Sequence, residues 1–386
     1  PTAGGKTEAA FLPILSEVMT KELTPVSVLY ISPIKALLNN QEERLRELSS
    51  FIYGDVFKWH GDVEKTNKNK FIKNKAHVLM ITPESLEVIL MNKLANKEEL
   101  FKDLHYIVID EIHAFAESER GTHLMALIER VQKFSNYDIQ RIGLSATVGN
   151  PDKLLEWLQG SSTREKSVVY PGGEKKNKKI EIRFCKDEEE RTQEILKRIV
   201  SRKALVFSNN RKDAELLKLR MEKENIDSYI HHSSINKFFR EKTEESFKIG
   251  KTNTIIATNT LELGIDIGAL DVVLHLEMPS SVSSFLQKLG RTGRREGKIS
   301  HFVFLPSNEE NLVMSIAILN LAMKKWVENV FVTDKAYDIL LHQTLTICLS
   351  SYGADIDDIF NTLSKVYSFS GISNEEYRYL IEYMVK

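Results

Sequence analysis

The chain opens on Pro1-Thr2-Ala3-Gly4-Gly5-Lys6-Thr7, and an amphipathic segment follows at once from Glu8 to Met19. A phosphate-binding loop follows the pattern Gly-x-x-x-x-Gly-Lys-[Ser/Thr]. Gly5-Lys6-Thr7 supplies the end of that pattern, and its first glycine would fall before Pro1, so further sequence is expected upstream. The residue types suit the chemistry. Gly4 and Gly5 let backbone N–H groups close around a β-phosphate, and the helix that follows turns its positive end toward the same oxygens. Lys6 would reach the β- and γ-phosphates as a point charge, and the Thr7 hydroxyl would ligate Mg²⁺. The expected ligands are therefore a nucleoside triphosphate and Mg²⁺. A glycine-rich turn that merely precedes a helix is the competing reading, and the rest of the chain decides between them.

At 386 residues the chain has room for two or three domains, and its 42% hydrophobic content suits ordinary globular cores. No apolar run approaches the roughly 18 residues of a membrane span. Cys185 and Cys348 are the two cysteines, far apart in sequence, which favours a reducing cytoplasmic compartment over a disulfide framework. With 53 Lys plus Arg against 54 Asp plus Glu, any nucleic-acid site must be a local groove and not a global positive field. The lysine-rich runs Lys65–Lys75 and Lys175–Lys179 read as solvated loops.

Short apolar or β-branched runs at Val26–Ile31, Val78–Ile81, Tyr106–Ile109 and Arg141–Leu144 alternate with helical patterns near Ile34–Leu48, Glu84–Met91 and His113–Phe134. Strands separated by helices indicate a parallel sheet covered on both faces. The polar stretch Gly160–Lys179 interrupts the rhythm and reads as a linker with one edge strand, Val168–Tyr170. The alternation restarts with strands at Lys203–Phe207, Ser228–His231, Thr254–Ala257, Val272–Leu276 and His301–Leu305, and with helices at Asp213–Lys223, Phe238–Phe247 and Ser283–Leu289. After Asn308 the pattern turns helical. The fold class is thus α/β, with domains expected at 1–165 and 166–325 and a smaller helical unit at 326–386.

The strand Tyr106–Ile109 ends in Asp110-Glu111-Ile112-His113. Adjacent carboxylates at the C-terminal edge of a parallel sheet lie where such folds bind ligands. Asp110 would hold Mg²⁺, and Glu111 would orient and deprotonate the attacking water. His113 is placed to sense the γ-phosphate side.

With Ser145-Ala146-Thr147 downstream, the chain resembles the superfamily 2 helicases, whose motif order it follows throughout. Ser32-Pro33-Ile34-Lys35-Ala36-Leu37 is similar to motif Ia and Thr82-Pro83-Glu84-Ser85-Leu86 to motif Ib. Val206-Phe207-Ser208-Asn209 with Arg211 is similar to motif IV, Ala257 to Asp266 to motif V, and Gln287 to Arg295 to motif VI. The resemblance implies two tandem RecA-like P-loop domains. It implies that Gln287, Arg291 and Arg294 face the nucleotide, the two arginines as fingers, and that Gly264 and Asp266 complete the nucleotide site. It also implies that Pro33, Lys35, Thr82, Ser208, Arg211 and Thr258 hold a phosphodiester backbone. Contacts of that kind fix register without reading sequence.

Asp-Glu-Ile-His, and not Asp-Glu-Ala-Asp, separates the chain from the DEAD-box RNA helicases. His60-Gly61-Asp62, His231-His232-Ser233-Ser234 and three helical segments from Ala336 onward resemble the large helicase-related (Lhr) family. There a winged-helix domain follows the motor; here it would be partial, without its wing. Lys288 stands where arginine is common, and Ala3-Gly4 replaces the usual Gly-[Ser/Thr]. His60 and the His231-His232 pair read as structural or strand-facing, not as metal ligands. The resemblance implies a 3′-to-5′ ATP-dependent motor on single-stranded nucleic acid, DNA favoured over RNA, with no membrane partner. A remodelling translocase that does not unwind, and a nucleotide-gated binding module, are the alternatives.

Overall fold

The computed structural model describes residues 5–51, 54–92, 96–170, 177–250, 252–258, 261–262, 268–293 and 299–386. These residues form two compact units.

The first unit comprises Gly5–Ser145, Asn150–Tyr170 and Asn329–Lys386. Its strands are β1 (Val28–Ile31), β2 (Val56–Trp59), β3 (Val78–Ile81), β4 (Tyr106–Ile109) and β5 (Gln140–Gly143). They lie in the order β2-β3-β1-β4-β5, all parallel. The central strands β1, β3 and β4 are buried along their whole length, as a sheet covered on both faces requires. The helices are α1 (Lys6–Thr20), α2 (Lys35–Ser50), α3 (Lys65–Lys73), α4 (Pro83–Met91), α5 (Lys97–Phe101), α6 (His113–Ala116), α7 (Glu119–Gln132) and α8 (Pro151–Gln159). Phe11, Ile14 and Val18 of α1 and Leu38 and Leu45 of α2 pack with Val28, Tyr30, Met80 and Val108 in one core.

The second unit holds the described residues of 146–149 and 171–328. Its strands β6 (Lys178–Ile182), β7 (Ala204–Phe207), β8 (Ser228–His231), β9 (Thr254–Ala257), β10 (Val272–Leu276) and β11 (Ser300–Leu305) lie in the order β6-β11-β10-β7-β9-β8, again all parallel. Its helices are α9 (Glu188–Ile199), α10 (Arg211–Lys223), α11 (Lys237–Ile249), α12 (Val282–Leu289) and α13 (Glu309–Met323). The core is built from β7, β9, β10 and β11 with Ile195, Ala214, Leu217 and Met221 of α9 and α10.

The tail helices α14 (Tyr337–Ser351), α15 (Ile356–Leu363) and α16 (Asn374–Val385) belong to the first unit. There α14 packs on α4 and α7, and α15 packs on α7. α16 begins with a reciprocal capping box: the Ser373 hydroxyl accepts from the Glu376 amide at 3.1 Å, and the Glu376 carboxylate accepts from the Ser373 amide at 2.8 Å.

Four sequence expectations require correction. In the run Lys175–Lys179, read as a loop, Lys178 and Lys179 open the strand β6. Val168–Tyr170 is not a strand; its residues are largely exposed, and the edge position goes to β6. The run at Lys65–Lys75 is not a loop over most of its length but the helix α3, anchored by buried Phe71, whose ring stacks on Phe57 at 4.5 Å. A single anchor in a polar stretch leaves no periodicity to read. The segment His113–Phe134 is two helices. Ser118 caps the second, accepting from the Gly121 amide at 3.2 Å, and a Cβ at Gly121 would stand 2.0 Å from the Phe115 carbonyl oxygen. Only glycine permits that approach.

Candidate nucleotide and strand site

Gly5 caps α1 with φ of 70°, a left-handed conformation that glycine adopts without strain. Gly4 lies outside the described residues. The Ala9 amide already bonds the Gly5 carbonyl at 2.8 Å, so the helix starts immediately at the loop. Thr7 is buried and Lys6 half-buried, and the Lys6 ammonium donates to the Ser145 carbonyl at 2.9 Å. The loop and Ser145 therefore meet through a direct bond.

Asp110 and Glu111 emerge together from the end of β4, and both are buried. Asp110 Oδ1 accepts from the Glu111 amide at 3.0 Å and Oδ2 accepts from the Tyr30 hydroxyl at 2.5 Å. Burial, then the neighbouring Glu111 charge, raise the Asp110 pKa above the usual carboxylate range, against the Tyr30 bond and the Lys6 charge. Glu111 has φ of 47°, a strained backbone for a residue with a side chain, of the kind that gathers at working sites. Its Oε2 is buried and, among the described residues, accepts no hydrogen bond, with His113 Nδ1 3.5 Å away. The same His113 nitrogen lies 3.3 Å from the Ser145 hydroxyl.

These features fit a divalent cation. Two adjacent carboxylates are buried, Asp110 is disfavoured as an anion by that burial and by the Glu111 charge, and a hydroxyl-bearing Thr7 ends the loop. Thr7 and Asp110 would hold Mg²⁺, which when bound neutralises phosphate oxygens.

In the strand-facing set, Lys35 is exposed and donates to Asp62 at 2.8 Å, joining the start of α2 to the loop after β2. Pro33 and Thr82 are buried, and the Thr82 hydroxyl donates to Ser85 Oγ at 3.2 Å. Sequence reasoning missed Arg120. It bonds both Glu84 oxygens, at 2.5 and 3.0 Å, and also the Pro33 carbonyl, so it braces motif Ia against α4 of motif Ib. It missed Glu87 as well, which accepts from His123 Nε2 at 2.6 Å, Arg130 at 2.5 Å and Gln343 at 2.8 Å. A glutamate one turn into α4 carried no marker of its partners, the nearest of them 36 residues away in sequence.

In the second unit Arg211 is exposed and donates to Ser234 at 2.5 Å and to Ser233 at 2.7 Å. Ser208 is fully buried; its amide bonds Ala257 and its hydroxyl donates to the Asn210 carbonyl at 2.8 Å. Both groups are thus used inside the protein, which makes Ser208 a scaffold for the Asn209 turn. The Thr258 amide bonds the His231 carbonyl at 3.2 Å. His231 and His232 pair with Glu244 and Glu215, at 2.8 and 3.2 Å.

Gln287 is buried on α12, its amide 3.4 Å from Ser283 Oγ. Arg291 is fully buried and donates to the Glu262 carbonyl at 2.6 Å. Lys288 is also fully buried. It reaches Ser284 Oγ at 2.9 Å and Glu262 Oε2 at 3.2 Å, and its ammonium lies 4.9 Å over the Phe207 ring. Motif VI thus grips both backbone and side chain of Glu262 in motif V. Gly293 has φ of 66° and a Cβ there would stand 2.3 Å from Ser300 Oγ. Gly264, Asp266 and Arg294 lie outside the described residues.

A glycine-capped loop facing an Asp-Glu pair in one unit, and a basic motif in a second all-parallel unit, define the class of P-loop helicase motors. Comparison with known proteins agrees: residues 1–154 match the DEAD/DEAH box helicase family and residues 188–296 the helicase conserved C-terminal domain. The chain belongs to the superfamily 2 helicases and, within them, to the Lhr family. It is 29% identical to the ATP-dependent helicase Lhr-Core protein 2 of Thermococcus barophilus, over 100% of this chain and 48% of the relative. It is 31% identical to the ATP-dependent helicase Lhr-Core of Methanothermobacter thermautotrophicus, again over 100% of this chain and 48% of the relative. The solved structure of Mycobacterium smegmatis helicase Lhr bound to ssDNA and AMP-PNP superposes with a TM-score of 0.85 at 28% identity, covering 98% of this chain and 52% of that one. The chain spans about half the length of the relatives it matches.

Proposed function

We propose that the chain is the motor of an ATP-dependent helicase that converts ATP hydrolysis into 3′-to-5′ movement along single-stranded nucleic acid, DNA favoured over RNA, and so opens duplexes. The observation that carries this reading is the Asp110-Glu111 pair, buried at the end of β4 and tied to Ser145 through His113. Lys6 and the α1 N-terminus would hold the β- and γ-phosphates. Glu111 would take the proton of the attacking water at its orphaned Oε2, and His113 would hold that carboxylate and report its state to Ser145. Arg291 and Arg294 would supply positive charge to the leaving phosphates, with Gln287 beside them. Gly264 and Asp266 would complete the nucleotide site. Pro33, Lys35, Thr82, Arg211 and Thr258 would grip the backbone. We assign Ser208 the task of positioning its neighbours.

The domain organisation we propose places the ATP-binding domain at 1–165, the second motor domain at 166–325 and a partial winged-helix domain at 326–386 that rests on the first. Two free thiols, Cys185 buried and Cys348 half-buried, suit a reducing cytoplasm. Among the described residues no helix is long and apolar enough to cross a membrane. A strand-displacement assay on 3′- and 5′-tailed duplexes tests the reading. Unwinding of the 3′-tailed substrate alone is expected, and ATP-driven translocation without strand separation would replace helicase by remodelling translocase.

A further inference from the structure

We infer that α3 is a second nucleic-acid contact, a lysine face that receives the phosphate backbone after it leaves the sheet edge; the inference rests on the strand-tracking reading above. In a parallel sheet, ligands cross the C-terminal ends of the strands. Motif Ia follows β1, Thr82 follows β3, and His60-Gly61-Asp62 follows β2, which is the edge strand of the order β2-β3-β1-β4-β5. A strand passing from β1 over β3 therefore arrives at β2 and, next along the chain, at the N-terminus of α3. The Lys35–Asp62 bond of 2.8 Å marks how closely motif Ia approaches that loop.

The sequence Lys65-Thr66-Asn67-Lys68-Asn69-Lys70-Phe71-Ile72-Lys73 contains no acidic residue. Lys65, Lys70 and Lys73 are exposed and, among the described residues, form no ion pair. Neighbouring cations behave otherwise: Lys58 pairs with Glu42 at 2.5 Å, Arg46 with Glu42 at 3.1 Å, and Lys75 with Glu99 at 3.1 Å. Lys70 and Lys73 sit in the last turn, where they complement the helix dipole. Lys65 sits at the first helical position, where the dipole disfavours a cation, so helix stability does not explain it. The helix is anchored through its underside. Phe71 packs between Phe57 and Trp59, and Lys68 lies over the Trp59 ring at 5.7 Å, so the lysine face is turned outward on a fixed base. Three exposed cations with no acidic residue among them suit the negative charge of a phosphodiester chain.

The test compares the parent protein with a Lys65→Ala/Lys70→Ala/Lys73→Ala variant and a Lys65→Arg/Lys70→Arg/Lys73→Arg variant. Each is titrated with fluorescein-labelled oligo(dT) and oligo(U) of increasing length at several salt concentrations. On long strands the alanine variant should bind about tenfold more weakly, and its slope of log affinity against log salt should be shallower by about 2, since each single-strand phosphate contact contributes ~0.7. The arginine variant should match the parent. Equal affinity and slope for parent and alanine variant at every length would overturn the inference and leave the motor reading intact. A parent that binds neither polymer would overturn both.

Discussion

The Tyr30 hydroxyl donates to Asp110 Oδ2 at 2.5 Å, a bond from β1 to the residue that follows neighbouring β4, and it fixes the carboxylate proposed to hold magnesium. Tyr30 is fully buried, and its own pKa is driven well above the usual phenol value by burial and by the Asp110 charge. It therefore acts only as a donor.

Tyr30→Phe removes that donor and leaves burial to push the Asp110 pKa higher still. A carboxyl whose folded pKa is raised contributes stability below its unfolded value, and loses it as pH rises through the folded value. The variant should therefore lose on the order of 1–3 kcal/mol at neutral pH and less in acid, where Asp110 is protonated. Urea unfolding as a function of pH reads this out. A loss independent of pH would contradict the role given to the bond.

Burial alone would raise the Glu87 pKa, but the bond from His123, the Arg130 charge and the Gln343 amide together hold it down at about 2. A depressed carboxyl stabilises the fold above its unfolded pKa, and that contribution is lost as pH falls through the folded one. The window here runs from pH 4.5 down to about 2. Glu87→Gln should flatten the stability profile across it. Arg130→Met, which leaves the buried carboxylate short of its charged partner, should cost about 3 kcal/mol at neutral pH. Because Gln343 belongs to α14, both changes should loosen the tail, which hydrogen exchange of α14 amides would register.

Lys288 is fitted to a closed site, bounded by Phe207, Ser284 and Glu262, and His275 Nε2 lies 3.3 Å away. Burial lowers the Lys288 pKa against the pull of Glu262. Lys288→Met would strand Glu262 and should cost about 3 kcal/mol. Lys288→Arg keeps the charge but adds volume to a packed interior, for a cost of about 1–3 kcal/mol. Denaturant unfolding of the two variants measures both; an arginine variant as stable as the parent would show a looser site.

Arg120 is the brace between motifs Ia and Ib. Arg120→Ala should weaken single-strand binding about tenfold, or ~1.4 kcal/mol, with nucleotide affinity unchanged. Fluorescence titration of each ligand separates the two, and equal losses for strand and nucleotide would contradict the assignment.

The sequence made the parallel strands readable because β1, β3 and β4 are continuous apolar runs, and the motifs placed Lys6, Asp110 and Glu111 in one unit before any coordinates. It hid β2, whose edge position leaves Phe57, Lys58 and Trp59 half-buried and mixed in character. It hid α3 because Phe71 is that helix's one buried residue, too little for a periodic pattern. The braces were equally silent: Arg120, Glu87, Arg130 and Gln343 are ordinary polar residues until the fold brings α4, α7 and α14 together. Motif residues are set by the chemistry of a phosphate and read locally, whereas partners chosen by packing do not.

The most direct test of the motor is ATP hydrolysis by the parent protein and by Glu111→Gln, with single-stranded DNA, single-stranded RNA or no polymer. The account predicts stimulation by a strand, and at least a hundredfold loss in the variant, the lower end of what general-base catalysis contributes. A parent rate unmoved by either polymer, or a variant that hydrolyses ATP as the parent does, would contradict it.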